Sequence, residues 1–298
     1  MNIAILSRGS YLYSTRSLLR AGVARGHYLQ IVDHSNCSLV VDRDLPAVYC
    51  NGVNLSYIDA IIPRIGASVT YPGSAVIAQF EAMGIFTSTR ADALLQARDK
   101  LRSLQRLTSF GIAAPKTLFV GQEQNLPDVI EQVGGFPVVI KLLESTHGVG
   151  VLLAHNMLQA TSIVEAFQKT GQRVIVQEFI SEAEGADIRV FMVNGEVVAA
   201  MKRQAKDGEF RSNLHRGASA TPVLLTEQEE EVSRKVARVM GLDVVGIDLL
   251  RSYRGPLVME VNASPGLEGI ETTTGKDVAG SIIHLVESKI AELQLQRV

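Results

Sequence analysis

The chain has 298 residues, 46% of them hydrophobic and 20% charged, an ordinary soluble composition long enough for about two domains. Lysine and arginine (29) nearly balance aspartate and glutamate (31), so no basic field draws in nucleic acid or an anionic membrane. Two cysteines, Cys37 and Cys50, are too few for a disulfide framework and form no CxxC metal motif. They read as free thiols of a reducing compartment. The apolar run at residues 3–6 is too short for a signal peptide, and no run reaches the roughly 18 apolar residues of a membrane span. The expectation is a cytoplasmic protein without membrane or direct nucleic-acid partners.

Residues 3–6 predict a first strand that stops at Ser7-Arg8-Gly9. Residues 14–25 carry Leu18, Leu19 and Val23 at helical spacing, with Gly26 as a stop. Residues 29–32 and 58–62 predict further strands, the second ending at Pro63-Arg64, and residues 75–83 a helix closed by Gly84. Strands alternating with helices imply parallel βαβ units and a small open α/β domain over residues 1–95. Residues 91–110 read as one long helix ending at Gly111, the candidate boundary to a second domain over residues 96–298.

Beyond it, strands at 116–120 and 138–143 flank a helix at 127–134. A strand at 148–153, a helix at 158–169 and a strand at 174–180 follow. Runs 188–192 and 197–201 flank Val193-Asn194-Gly195-Glu196, a strong hairpin signal. Residues 226–240 predict a helix in which Thr226 and Glu229 form a capping box. Strands 244–250 and 257–261, joined by residues 251–256, make a second hairpin, and residues 276–293 a closing helix. Antiparallel hairpins among helices make this half α+β.

The chemistry concentrates in the second hairpin. Asp248 lies inside Val244-Val245-Gly246-Ile247-Asp248-Leu249-Leu250, and Glu260 inside Leu257-Val258-Met259-Glu260-Val261-Asn262. A buried carboxylate needs a partner. Alternation puts Glu260 and Asn262 on one strand face, and the hairpin can bring Asp248 opposite. Either carboxylate alone would suit an ion pair with Arg or Lys. The three together, running into Ser264-Pro265-Gly266, offer the hard oxygens that magnesium prefers. Lys141 sits in another apolar strand and needs an anion unless it reaches the surface. After it, Glu144-Ser145-Thr146-His147-Gly148-Val149-Gly150 can turn backbone N–H groups toward phosphate, although it is neither a Walker A loop nor a dinucleotide fingerprint. Lys202-Arg203-Gln204 and Arg211-Ser212-Asn213-Leu214-His215-Arg216-Gly217 supply guanidinium forks suited to phosphates or an anionic substrate, or else a solvated basic face.

These residues resemble the ATP-grasp superfamily of carboxylate–amine ligases, and in particular its RimK family, which adds glutamate to the C-terminus of a small-subunit ribosomal protein. The resemblance spans essentially the whole chain. It rests on Ile3-Ala4-Ile5-Leu6-Ser7-Arg8, Pro63-Arg64-Ile65-Gly66, Ala97-Arg98-Asp99-Lys100-Leu101-Arg102 and the run from Phe210 to Gly217. Its most specific part is Met259-Glu260-Val261-Asn262-Ala263-Ser264-Pro265-Gly266-Leu267-Glu268-Gly269-Ile270-Glu271. The resemblance implies an ATP-grasp fold behind an N-terminal open α/β (pre-ATP-grasp) domain, with a central lobe at about residues 104–185 and a C-terminal lobe at about 186–298. It implies that Lys141 holds ATP phosphates, that Gly148 and Gly150 lie in a mobile phosphate loop, and that Glu178 and Phe179 meet the adenine edge. Asp187 is implied as a ribose or nucleotide contact, Arg211, Ser212 and Asn213 as a later nucleotide-binding segment, and Lys100 as a further phosphate lysine. Asp248, Glu260 and Asn262 match ligands of two Mg2+ (or Mn2+) ions, with Glu260 bridging, and Arg203 fits a transition-state or substrate arginine. His147 departs from the glutamine expected in the loop.

The implied reaction is attack of a carboxylate on the ATP γ-phosphate, then attack of an amine on the acyl phosphate. Implied partners are L-glutamate, the ribosomal-protein C-terminus and further copies of the chain in a homo-oligomer. Two other readings share the fold: a ligase making free poly-α-glutamate or modifying a small molecule, and a catalytically silent ATP-binding interaction protein. A dinucleotide oxidoreductase is disfavoured, because Ser7-Arg8-Gly9-Ser10 stands where a G-x-G-x-x-G would follow the first strand.

Overall fold

The structure, a computed structural model, describes residues 1–121, 125–143 and 150–296. Among them the strands form four sheets. The chain begins β1 (Asn2–Leu6), α1 (Tyr13–Ala24), β2 (Tyr28–Val32). A small antiparallel ribbon follows, β3 (Cys37–Val40), β4 (Ala47–Cys50) and β5 (Val53–Asn54). Then come β6 (Ala60–Pro63), α2 (Thr70–Ala82) and β7 (Phe86–Thr87). Strands β2-β1-β6-β7 lie side by side, all parallel, as the alternation of strands and helices predicts. The ribbon was not expected, because its strands are short and largely open to solvent on one side.

The single helix expected over residues 91–110 is two, α3 (Ala91–Arg98) and α4 (Lys100–Ser109). Asp99 between them is extended, with ψ 102°, and its carboxylate accepts the backbone N–H of Arg102 at 3.0 Å. Its short acidic side chain captures an otherwise unpaired N–H and starts a new helix there. The chain continues β8 (Thr117–Val120), α5 (Leu126–Val133), β9 (Val138–Leu142), β10 (Val151–Ala154), α6 (Met157–Lys169) and β11 (Val174–Glu178). These strands form an antiparallel sheet in the order β10-β9-β11-β8. Alternation along β9 and β11 sends Val138, Ile140, Val174 and Val176 into a core with Val129, Ile130 and Val164 of α5 and α6.

Next are β12 (Ala186–Val193), β13 (Glu196–Gln204), β14 (Ser219–Pro222), α7 (Glu227–Met240), β15 (Val244–Ser252), β16 (Gly255–Asn262), α8 (Glu268–Thr274) and α9 (Val278–Gln296). The five-stranded sheet runs β14-β13-β12-β15-β16, antiparallel throughout, and contains both expected hairpins. One face sends Ile188, Val190, Met192, Ile247 and Leu249 into a core with Leu94, Leu107, Val236 and Met240. On the other, Phe191, Val193 and Met201 meet Ile282, Ile283 and Val286 of α9. Both cores continue into the N-terminal sheet, through Ala4, Leu6 and Ile61 in one and Ile3, Ile5 and Ala60 in the other. No helix among the described residues is long and apolar enough to cross a membrane.

The capping box of α7 is present: Thr226 Oγ1 accepts the Glu229 N–H at 3.2 Å and Glu229 Oε2 accepts the Thr226 N–H at 2.9 Å. Thr226→Ala is expected to lower unfolding free energy by about 1 kcal/mol, a typical cap loss. A urea unfolding midpoint unchanged from the parent chain would exclude that contribution.

Candidate active site

A row of charges crosses one face of the five-stranded sheet, and strand register explains it. Asp187 on β12 lies opposite Arg203 on β13, Arg189 opposite Asp248 on β15, Asp248 opposite Glu260 on β16, and Asn262 opposite Gly246. Directly opposed residues share a face, as do residues two apart on a strand, so all six side chains project from one side. Arg203 donates two hydrogen bonds to Asp187, each 2.6 Å, and its Nη2 lies 3.0 Å from Asp248 Oδ2. Arg189 grips Asp248 through both Nε and Nη2, and the Ser212 hydroxyl donates to Asp187. Asp187 and Asp248 are 2% and 1% exposed, so these ion pairs are truly interior.

Burial and pairing oppose each other here. Burial pushes the Asp187 carboxyl upward, and Arg203 only partly offsets it. Burial would raise Asp248 too, but Arg189 and Arg203 outweigh it and hold that group below the ordinary aspartate range. Burial would lower Arg203, yet Asp248 and Asp187 raise it, so its charge is permanent. The ion-pair reading weighed for Asp248 from sequence therefore applies to that residue. Glu260 differs: no hydrogen bond to its carboxylate is found among the described residues.

Across from this row lies the free face of the central sheet. Alternation along β9 turns Lys141 away from the core that holds Ile140. Its ammonium donates to Gln177 Oε1 at 2.6 Å, and Gln177 Nε2 donates to Thr117 Oγ1 at 2.7 Å. Burial brings the Lys141 ammonium down to about 8, with Glu260 and Asp248 favouring its charge and Lys100 opposing it. Lys141, Lys100, Glu260 and Asp248 thus share one electrostatic environment. Lys100 opens α4 and lines a small pocket with Ser103, Met259 and Glu260.

The remaining expected residues lie at the start of β10, the end of β11 and in the segment between β13 and β14. Glu178 ends β11, where its carboxylate accepts the Lys116 N–H at 2.7 Å and an Arg254 guanidinium bond at 2.6 Å. The Phe179 ring meets Phe210 edge-on, centroids 6.4 Å apart, and Arg211 lies over Phe210 at 5.5 Å. Arg211 also holds Glu209 at 2.7 Å and the Val151 carbonyl at 3.1 Å, tying the two sheets together. Glu209 is drawn down to about 2 by the Arg211 hydrogen bonds. Asn213 continues that segment. Gly150 has φ +69°, and a Cβ there would come within 2.4 Å of Leu142, so the turn requires glycine. Gly148 and His147 lie outside the described residues.

Asp248, Glu260 and Asn262 meet on adjacent strands, with hard-oxygen donors that suit a divalent cation. Among the described residues no three Asp, Glu, His or Cys side chains group closely enough to hold an ion by themselves. The third donor of this set is an amide. Glu260 is open to a cation, whereas Asp248 can add only the acceptor capacity that its guanidinium bonds leave on Oδ1. Arg189 and Gln177 were missed in the sequence. Arg189 carried the same signal as Lys141, a long cation inside an apolar strand.

The pattern of the RimK-like ATP-grasp domain matches residues 97–286, and that of the RimK PreATP-grasp domain residues 1–94. The chain belongs to the RimK family of ATP-grasp ligases. It is 53% identical over 287 residues to a probable alpha-L-glutamate ligase of Pseudoalteromonas translucida, covering 96% of this chain and 95% of that one. It is 51% identical over 291 residues to a probable alpha-L-glutamate ligase of Vibrio cholerae, covering 98% and 97%. Among solved structures, the ATP-grasp ligase PsnB with a precursor variant, Mg and ADP superposes with a TM-score of 0.73 at 17% identity, covering 96% of this chain and 97% of PsnB. D-alanine–D-alanine ligase of Bacillus anthracis with ATP superposes at 0.69 and 15% identity, covering all of both chains. These two establish the shared fold. As a RimK-family member the chain is an acid–amino-acid ligase that forms carbon–nitrogen bonds.

Lys141 also carries a pH signature. Its proton is released near pH 8 in the folded protein but near 10.5 in an open chain. Between those values the unfolded state binds more protons, so the Lys141 contribution to stability rises with pH. Urea unfolding at pH 7.5, 9 and 10 is expected to show that rise in the parent chain and a flatter profile in Lys141→Met. Parallel profiles would show that the ammonium is not desolvated.

Proposed function

We propose that this RimK-family ligase adds L-glutamate residues to the C-terminus of a ribosomal small-subunit protein, using ATP and Mg2+. The observation that carries the ligase chemistry is the open Glu260 carboxylate, at the end of the paired charge row and within the field of Lys141. Glutamate is supported by the relatives, both probable alpha-L-glutamate ligases at over 50% identity along nearly the whole chain. A polypeptide acceptor is supported by the resemblance of the chain's motifs, and PsnB, of the same fold, is a ligase seen in complex with a precursor peptide.

The reaction runs in two steps. A substrate carboxylate oxygen attacks the γ-phosphorus of ATP, the bond to the bridging oxygen breaks, and ADP leaves an acyl phosphate. The amine of the second substrate attacks the acyl carbon, and phosphate leaves with an amide formed. Positioning and charge neutralisation carry most of such catalysis. Lys141 and Lys100 bring positive charge to the phosphates, and Phe179 with Glu178 borders the adenine. Arg211, Ser212 and Asn213 line the nucleotide segment. Asp187 acts there through Arg203, which it locks in place. Glu260, Asn262 and the remaining capacity of Asp248 would hold Mg2+, or Mn2+, which neutralises phosphate charge when bound. One ion or two are compatible with this donor set.

The decisive assay follows ADP release with Mg2+ and ATP, with and without glutamate, and with and without the ribosomal protein or its C-terminal peptide, then weighs the products. Mass increments of glutamate on the peptide are expected, with Glu260→Ala slower on the order of 10²–10³-fold. Free polyglutamate as the sole product would move the reading to a ligase without a protein acceptor. Tight ATP binding with no turnover on any amino acid would replace it with a silent binding protein.

A further inference from the structure

Arg64 of the N-terminal domain and Arg98, at the start of the ATP-grasp domain, are two neighbouring arginines whose buried donors lack acceptors. Arg64 directly follows β6, at the carboxyl end of the parallel sheet, where open α/β sheets commonly bind ligands. Its Nη2 donates to the Pro265 carbonyl at 2.6 Å, but its Nε is buried without a partner. Arg98 ends α3 and donates from Nη2 to the carbonyl of Ile65, the residue after Arg64. Its Nε is also buried and unpartnered. Asn262 Nδ2 and Ser264 Oγ, on the turn whose Pro265 carbonyl Arg64 grips, are buried and unpartnered as well.

Four unmet polar groups in one locality are unusual, since buried donors nearly always find acceptors. No carboxylate lies in ion-pair contact with either guanidinium among the described residues. Burial, then the neighbouring Arg98, lowers Arg64 to about 10, with Glu271 opposing. Burial lowers Arg98, with Glu260 opposing. Two adjacent enclosed cations, each with one fork arm free, ask for an anion that accepts several hydrogen bonds. A planar carboxylate meets that need, because it matches guanidinium geometry. The site includes the Asn262 amide and neighbours Glu260 without including the Lys141 face, so it suits a non-reacting carboxylate of a substrate held for ligation.

We infer that Arg64 and Arg98, with Ser264 and the Asn262 amide, form a subsite for the non-reacting carboxylate of an amino-acid substrate. This rests on the ligase reading above for its place in the reaction, though its binding chemistry can be measured without turnover. The carboxylate belongs either to free glutamate or to the end of the acceptor chain, and the experiment separates them.

The full-length protein, saturated with a non-hydrolysable ATP analogue and Mg2+, is titrated calorimetrically with L-glutamate, with glutamate whose α-carboxylate is an amide, and with a short peptide ending in glutamate. The same titrations are made on Arg98→Met and, because Arg64 also braces the domain junction, on the milder Arg64→Lys. A charge-assisted hydrogen bond lost from such a site lowers affinity by roughly ten- to hundredfold. That loss is expected for glutamate or for the peptide, whichever owns the carboxylate, with affinity for the ATP analogue unchanged. The parent chain should discriminate against the amide if free glutamate binds here, and Arg98→Met should lose that discrimination. Equal affinities in parent and variants would overturn the inference, as would a parallel loss of ATP-analogue affinity or no carboxylate binding by the parent chain. If carboxylate binding is lost in the variants while the parent chain shows no glutamate-dependent ADP release, the subsite stands and the ligase reading fails.

Discussion

The cleft depends on holding two aspartates inside a sheet. A buried carboxylate costs several kcal/mol unless its charge is matched and its lone pairs are filled. Asp187 and Asp248 meet that demand through Arg203, which touches both, and Arg189, which grips the second with a full fork. Removing one member of such a network costs on the order of 3–5 kcal/mol, because the other is left buried and unmatched. The network also fixes register. A slip of one residue between β12 and either neighbour would turn these charges into a core of Val190, Met192 and Ile247. The geometry of the cleft and the order of the strands are thus set by one constraint.

That constraint separates the roles of two carboxylates that look alike in sequence. Asp248 is nearly saturated by arginine and serves first as an anchor. Glu260, one strand further on, faces Lys141 and Arg98 without bonding either, and so is available to a cation or a phosphate-bound ion. Lys141 shows the complementary arrangement. It is the cation of an otherwise apolar strand, steadied by Gln177 and poised between the charge row and Lys100. A ligand carrying negative phosphates would relieve the crowding of these lysines. The five-stranded sheet buries apolar side chains on both faces, and the charge row occupies the part of one face that α9 does not cover.

Much of this was legible because strands alternate. The parity of Glu260 and Asn262, the facing of Asp248 across a hairpin and the outward turn of Lys141 all follow from a period of two. The Asn194-Gly195 turn and the Thr226–Glu229 capping box are local chemistry that tertiary packing did not override. The break at Asp99 was hidden because the helical pattern runs through it, and only the capping bond to Arg102 reveals it. The Cys37–Asn54 ribbon was hidden because short, half-exposed strands leave little pattern. Arg189 escaped notice because a lone basic residue in a strand commonly reaches solvent, and only the register with Asp248 gives it a partner. Contacts far apart in sequence, such as Arg64 with Pro265, leave no local signature at all.

In the reading proposed above the charge row deals with phosphate, and phosphate chemistry is the same whatever is being joined. PsnB superposes on nearly the whole chain at only 17% identity, so this architecture is compatible with widely different sequences. Choice of substrate must therefore be made by side chains that face the row without belonging to it. The N-terminal sheet is placed to supply them, since it shares both hydrophobic cores with the five-stranded sheet and cannot drift from it. Its strand ends consequently meet the Ser264-Pro265 turn at a fixed distance from Glu260. Arg64 bonds that turn directly, and Arg98 is held to Arg64 through the Ile65 carbonyl. A rigid junction with unspent hydrogen-bond donors is a better reader of a small anion than a loop, because little ordering entropy remains to be lost on binding.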